Sequence, residues 1–244
     1  MNLKRSGHSM IVNRRRFLSV LVATVGVLIF PGCSTAPKPL TGLAQGREVE
    51  TLQSRISVAI RTPGGSQGGR GYLIFKRPGS FHLAIISPFG PTILEMFITG
   101  DRITCLLPSK QIAYAGRLAE LPEKGGLRSW GLMRWVVEQP PPPSGPALSR
   151  EHVMADGRRE SVSYGEQGII LRKETEDGYK VSYLDYHVVN GVAFPSVMEI
   201  STPQGGTVRI TFNEPQVNQP VEEETLSPPL EGFTVLPFSE FKGF

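Results

Sequence analysis

The stretch 70–116 limits the fold more than any other part of the chain. It reads as apolar runs, Tyr72-Leu73-Ile74-Phe75, Phe81-His82-Leu83-Ala84-Ile85-Ile86, Ile93-Leu94-Glu95-Met96-Phe97-Ile98 and Ile103-Thr104-Cys105-Leu106-Leu107, separated by Pro78-Gly79, Pro88-Phe89-Gly90-Pro91, Gly100-Asp101 and Pro108-Ser109. Runs of one strand's length, rich in β-branched and aromatic residues and closed by turn residues, describe an antiparallel meander. Ile93, Leu94, Met96, Phe97 and Ile98 put apolar side chains on both faces of one strand, where a half-solvated sheet would alternate apolar with polar. Both faces of this sheet therefore need cover.

The pattern continues on either side. Residues 54–60 alternate as a first strand, with 62–69 as its turn, and 44–52 reads as a short amphipathic helix. Strands recur at 152–155, 159–164, 168–175, 179–189, 192–202 and 207–212, with Asp177-Gly178, Asn190-Gly191 and Gly205-Gly206 as turn dipeptides. One segment differs: 127–138 carries Trp130, Leu132, Met133, Trp135 and Val136 near helical spacing and is stopped by the prolines at 140–143. The expectation is a mainly β domain of about ten or eleven strands, with this helical insert lying on the doubly apolar sheet. The tail beyond 221 is rich in Pro, Glu and Phe; 230–237 could dock, but its pattern is irregular.

The N-terminus has its own logic. Arg14-Arg15-Arg16 precede the apolar run 17–30, which ends at Pro31-Gly32-Cys33. A basic region, a short apolar core and a small residue before the cut describe an export signal, too short to remain as a spanning helix. Cys33 directly after Gly32 has the form of a lipoprotein signal, so Cys33 is the expected lipidation site, and Arg14-Arg15-Arg16-Phe17-Leu18 also has the form of a twin-arginine motif. The resulting division is a signal peptide at 1–32, a lipidated cysteine and flexible tether at 33–46, a mainly β domain at 47–220 and a tail at 221–244. Ser34 rather than Asp follows the cysteine, and resemblance to enterobacterial sorting signals implies the outer membrane, facing the periplasm, as the expected destination.

Charge and chemistry exclude several function classes. The signal holds Lys4, Arg5, Arg14, Arg15 and Arg16 and no acidic residue, so its removal leaves 26 − 5 = 21 basic against 22 acidic groups. A near-neutral chain without clustered Lys or Arg does not suit a nucleic-acid partner. His8, His82, His152 and His187 are scattered, with no metal-ligand spacing, and no nucleophile elbow or phosphate-cradling loop occurs. The reading is a non-enzymatic protein without metal or cofactor. Cys105, the only other cysteine, reads as a buried small apolar residue.

Three segments carry a resemblance. Ser87-Pro88-Phe89-Gly90-Pro91-Thr92-Ile93-Leu94-Glu95-Met96 resembles the Asn-Pro-Leu-Gly-Ser-Thr-Glu-Leu stretch of the LolB family of outer-membrane lipoprotein receptors. Leu132-Met133-Arg134-Trp135-Val136-Val137-Glu138-Gln139-Pro140 is similar to that family's Leu-x-x-Trp helix, and Phe194-Pro195-Ser196-Val197-Met198-Glu199-Ile200 to its Pro-x-x-Met-Glu-Leu strand. The chain departs from the family at Glu138, where Gly is usual, at Phe89 for Leu, and in its longer tail.

The resemblance implies a strongly curved, incomplete β-barrel, half open, whose concave face is roofed by helices and shelters the acyl chains of a lipoprotein in transit. The implied partners are those acyl chains, a periplasmic LolA-like carrier and outer-membrane lipid, with the protein a monomer. Candidate walls of the acyl-chain cavity are Leu73, Phe75, Phe81, Leu83, Ile85, Leu94, Met96, Ile98, Met133, Trp135, Tyr183 and Met198, with the inward parity of each strand left open. Pro88, Phe89 and Gly90 form the candidate membrane-insertion loop, Phe89 standing where the family has a protruding Leu; a Phe that folds back onto the core is the alternative. Two other roles fit the same fold: an anchored structural or interaction lipoprotein of an envelope complex, and a carrier of another lipid.

Overall fold

Thirteen strands form one open sheet in the computed structural model, which describes residues 40–44, 47–122, 132–138, 148–154, 157–165 and 167–242. In chain order they are β1 (Thr51–Thr62), β2 (Gly65–Lys76), β3 (Ser80–Ile86), β4 (Thr92–Thr99), β5 (Arg102–Leu107), β6 (Ile112–Arg117), β7 (Ser149–Val153), β8 (Arg159–Tyr164), β9 (Ile170–Thr175), β10 (Lys180–Val189), β11 (Val192–Ser201), β12 (Thr207–Val217) and β13 (Thr234–Pro237). Across the sheet the order is β13-β6-β5-β4-β3-β2-β1-β12-β11-β10-β9-β8-β7. The end strands do not pair with each other, so the barrel is incomplete. Every neighbour is antiparallel except β13, which lies parallel to β6.

Helix α1 (Met133–Val137) shows how strongly the sheet curls. Arg134 donates to the Gly100 carbonyl in the turn after β4, while Trp135 donates to Glu160 on β8. Those strands stand eight positions apart in the order, about 38 Å along a sheet with 4.8 Å between strands. A five-residue helix is only about 7.5 Å long. It can touch both only as a chord across a half-barrel, so it marks the inner face.

That curvature explains the doubly apolar strand. Leu94, Met96 and Ile98 of β4 point inward to the main core, which also takes residues from α1 and from strands on both halves of the sheet. Phe97 points outward and joins Leu106 and Ala113 in a second cluster, covered by Phe233 of the tail. The tail thus roofs the outer face where α1 roofs the inner. It then turns around the edge strand, and Phe238 and Phe241 pack against the inward Tyr114 of β6. On the outer face His82 stacks on Phe97 at 3.9 Å, and its Nδ1 lies 2.7 Å from the Thr225 carbonyl oxygen, fixing the tail to β3.

Several expectations are corrected in detail. The strand count is thirteen rather than ten or eleven: Ile112–Arg117 forms β6 beside β5, and the tail adds β13 by a non-local parallel pairing that no hairpin turn announces. The stretch 62–69 is not a long turn: only Pro63 and Gly64 turn, and Gly65 to Arg70 pair with β1 from Thr62↔Gly65 to Ser57↔Arg70. No helix forms from Ala44 to Leu52 among the described residues. Thr51 and Leu52 already belong to β1, and the Asn218 side chain binds the backbone at Glu48, Glu50 and Thr51. Of the helix read at 127–138, the described residues 132–138 show Met133–Val137 as helical; 127–131 and the prolines at 140–143 lie outside the described residues, as does the leader with Cys33. Gly71 is required where β2 meets β3: a Cβ there would sit 1.9 Å from the Ala84 carbonyl oxygen.

Candidate functional site

Cross-strand register places the candidate wall residues together. Phe75 pairs with Phe81 and Leu73 with Leu83 between β2 and β3; Phe81 then pairs with Ile98, Leu83 with Met96 and Ile85 with Leu94 between β3 and β4. On the other half of the sheet Tyr183 of β10 pairs with Met198 of β11. Met133 and Trp135 come from α1. Leu73, Phe75, Phe81, Leu83, Leu94, Met96, Ile98, Met133, Tyr183 and Met198 are all buried in one cluster, with Ile85 and Trp135 half-buried against it. The parity left open in the sequence is therefore odd-numbered on β2, β3 and this part of β10, and even-numbered on β4 and this part of β11. The side chains are packed against one another and α1. A surface hollow of about 500 Å³ is lined by Arg47, Thr51 and Asn218 at the start of β1, and another of about 570 Å³ by Asn190, Gln216 and Pro220 at the end of β12; they share none of these twelve residues.

A polar group holds α1 in place, and the sequence reading missed it. Lys173 of β9 is only 1% exposed and Glu160 of β8 only 4%. The Lys173 ammonium donates to the carbonyl of Trp135 at 2.8 Å and to that of Glu138, and it stands 5.4 Å from the centre of the Trp135 ring. Trp135 Nε1 donates to Glu160 Oε2 at 2.6 Å, and the Tyr183 hydroxyl donates to the Val136 carbonyl at 2.8 Å. These acceptors on α1 include carbonyls near the C-terminal end of a short helix, where intrahelical partners run out. Burial pushes the Lys173 ammonium down to about 8, against the opposing pull of Glu160 and Glu138. Burial likewise holds the Tyr183 phenol well above its ordinary value.

Irregular pairing hid this group. The register shifts between Ser163 and Tyr164, where Tyr164 pairs with Ile170 but Ser163 with Arg172. Simple alternation from Ile170 sends Lys173 outward; the shift turns it inward beside Val162 and Val181.

Phe89 stands apart from this interior. The Gly90 N–H donates to the Ser87 carbonyl at 3.0 Å, closing a turn with Pro88 and Phe89 at its corners, and the Phe89 N–H donates to Ser87 Oγ at 3.0 Å. Gly90 takes a φ of +106°, a region that favours glycine. The ring is 93% exposed, the greatest exposure among the large apolar residues described. It does not fold back onto the core. Cys105 is buried on the inner face of β5, and burial pushes its thiol up to about 12, away from nucleophilic use. Among the described residues no cluster of three or more His, Cys, Asp or Glu could hold a metal ion.

The family model for the outer membrane lipoprotein LolB matches residues 50–214. No curated protein matches the chain in sequence. Among solved structures, a domain from Vibrio parahaemolyticus assigned to outer membrane lipoprotein sorting superposes with a TM-score of 0.53 at 10% identity, covering 72% of this chain and 88% of that one. A LolA superfamily protein from Nitrosomonas europaea gives a TM-score of 0.50 at 9% identity, covering 75% of this chain and 92% of that one. At such identities the likeness is one of fold. No helix among the described residues is long and apolar enough to cross a membrane.

Proposed function

We propose that this chain, which belongs to the LolB family of outer membrane lipoproteins, shelters the acyl chains of other lipoproteins on the inner face of its half-barrel and delivers them to the outer membrane. In this reading Cys33 carries the lipid anchor, the domain faces the periplasm as a monomer, a LolA-like carrier hands over the cargo, and Phe89 enters outer-membrane lipid at the point of release. The observation that carries it is the continuous apolar inner face, roofed in the described residues by one five-residue helix that is fastened through a few polar contacts. Each buried methylene is worth about 0.8 kcal/mol, so an acylated cysteine does not cross water unshielded. Lifting α1 exposes a surface of Leu, Phe, Ile and Met side chains, which adapt to flexible chains.

The close packing of that same face favours a second reading, in which the half-barrel is a filled scaffold in an envelope complex. Native mass spectrometry separates the two. The full chain carrying Cys33→Ser is incubated with a carrier loaded with a triacylated lipoprotein. Appearance of a one-to-one complex between this chain and the cargo supports the transfer reading; retention of all cargo on the carrier contradicts it.

A further inference from the structure

The buried cation of the inner face has no evident use in packing alone. An apolar residue of similar length at Lys173 would fill the same space without the desolvation that a buried ammonium suffers, and such replacements are often neutral or stabilising. Lys173 instead points its ammonium at two carbonyl oxygens, those of Trp135 and Glu138, both on the segment that roofs the apolar face. Its strand neighbours facing the same way are Val162 and Val181, and with buried Glu160 and Thr175 it forms the polar end of a mainly apolar surface. Glu160, buried nearby and held by Trp135 Nε1, balances the charge.

Resting on the acyl-chain reading above, we infer that Lys173 is the headgroup contact of the inner face, exchanging the α1 carbonyls for the ester carbonyls of a diacylglyceryl group when α1 gives way to the acyl chains. The chemistry of exchange is matched, because a neutral carbonyl oxygen is replaced by another and the local charge balance with Glu160 is preserved. A fatty-acid carboxylate would instead bring a second negative charge beside Glu160, which disfavours it. The ligand class is therefore an acyl chain ending in a neutral carbonyl, with the hydrocarbon lying along Val162, Val181, Tyr183 and Met133.

The test titrates the full chain carrying Cys33→Ser with three probes, 1,2-dipalmitoylglycerol, its diether analogue 1,2-di-O-hexadecylglycerol, and palmitate, by native mass spectrometry. The diester is expected to bind about tenfold more tightly than the diether, which has the same chains but no carbonyl. Lys173→Met should abolish that preference by raising diether affinity to that of the diester, since no buried ammonium is then left unpaired when α1 gives way, and Lys173→Arg should retain part of it. Equal affinity of the unsubstituted lysine protein for diester and diether overturns the inference and leaves the acyl-chain reading standing, and it needs no variant to fold. A diester preference that survives Lys173→Met also overturns it, because the discrimination then arises elsewhere and the lysine is only a helix fastener. Palmitate binding more tightly than the diester reassigns Lys173 to a carboxylate and overturns the ester assignment. Failure of every probe to bind overturns both the inference and the reading beneath it.

Discussion

Trp135 Nε1 and Glu160 Oε2 lie 2.6 Å apart, joining the one described α-helix to β8 near the free edge of the sheet. With Lys173 and Tyr183 donating to backbone carbonyls of the same segment, α1 is held less by its own five residues than by side chains reaching up from the sheet. Isolated helices of that length do not persist in water.

Trp135→Phe keeps most of the ring and removes the donor, leaving the Glu160 carboxylate buried without it. The expected loss is about 1–3 kcal/mol in urea unfolding, the cost of stranding a buried charged acceptor. A loss below about 0.5 kcal/mol would show that the indole hydrogen bond does not fasten the helix.

Lys173 makes stability depend on pH. Its folded value of about 8 lies below its ordinary 10.5, so between those limits the unfolded chain binds more protons than the folded one. Stability contributed at this site therefore rises with pH across that window, and the handicap of the buried charge is greatest below it. Compared with Lys173→Met, the parent protein should gain on the order of 2–3 kcal/mol between about pH 7 and about pH 10.5. The checking measurement is urea unfolding of both proteins at the two ends; a constant difference between them contradicts the assignment.

Phe89→Asp removes an exposed ring that touches no core. Unfolding free energy should stay within about 0.5 kcal/mol of the parent, while delivery of a lipoprotein to outer-membrane vesicles is lost. Intact delivery by the folded variant would remove Phe89 from the release step.

Ending the chain after Pro220 strips Phe233 from the outer cluster, Phe238 and Phe241 from Tyr114, and the Thr225 carbonyl from His82. The truncated chain should unfold at a lower midpoint, by several kcal/mol given the buried Phe238 alone, and bind a hydrophobic dye. An unchanged thermal midpoint would make the tail an appendage.

The meander was legible because its signals are local. Pro78-Gly79, Pro88-Phe89-Gly90-Pro91 and Gly100-Asp101 set the turns, and the two-sided apolar pattern of β4 announced cover on both faces. Phe97 and Leu94 show that both covers exist. The walls of the inner face were legible as a set, though not their parity, since hydrophobic periodicity is blind on a strand buried on both sides. What stayed hidden depends on distant partners. β13 joins β6 across more than a hundred residues of chain, and the register shift at Ser163 and Tyr164 that turns Lys173 inward carries no glycine or proline of its own. Glu160 and Lys173 read as ordinary solvated strand residues until Trp135 is laid over them.

The central claim is that acyl chains occupy the inner face beneath α1, and the methionines test it in place. Met96, Met133 and Met198 are buried on that face, while Met154 stands at the turn between β7 and β8. With photo-methionine incorporated throughout and a triacylated lipoprotein handed over by its carrier, the account predicts cross-links from the acyl chains to Met96, Met133 and Met198. Cross-links confined to Met154, or a loaded complex with no acyl cross-link at the three inner positions, would contradict it.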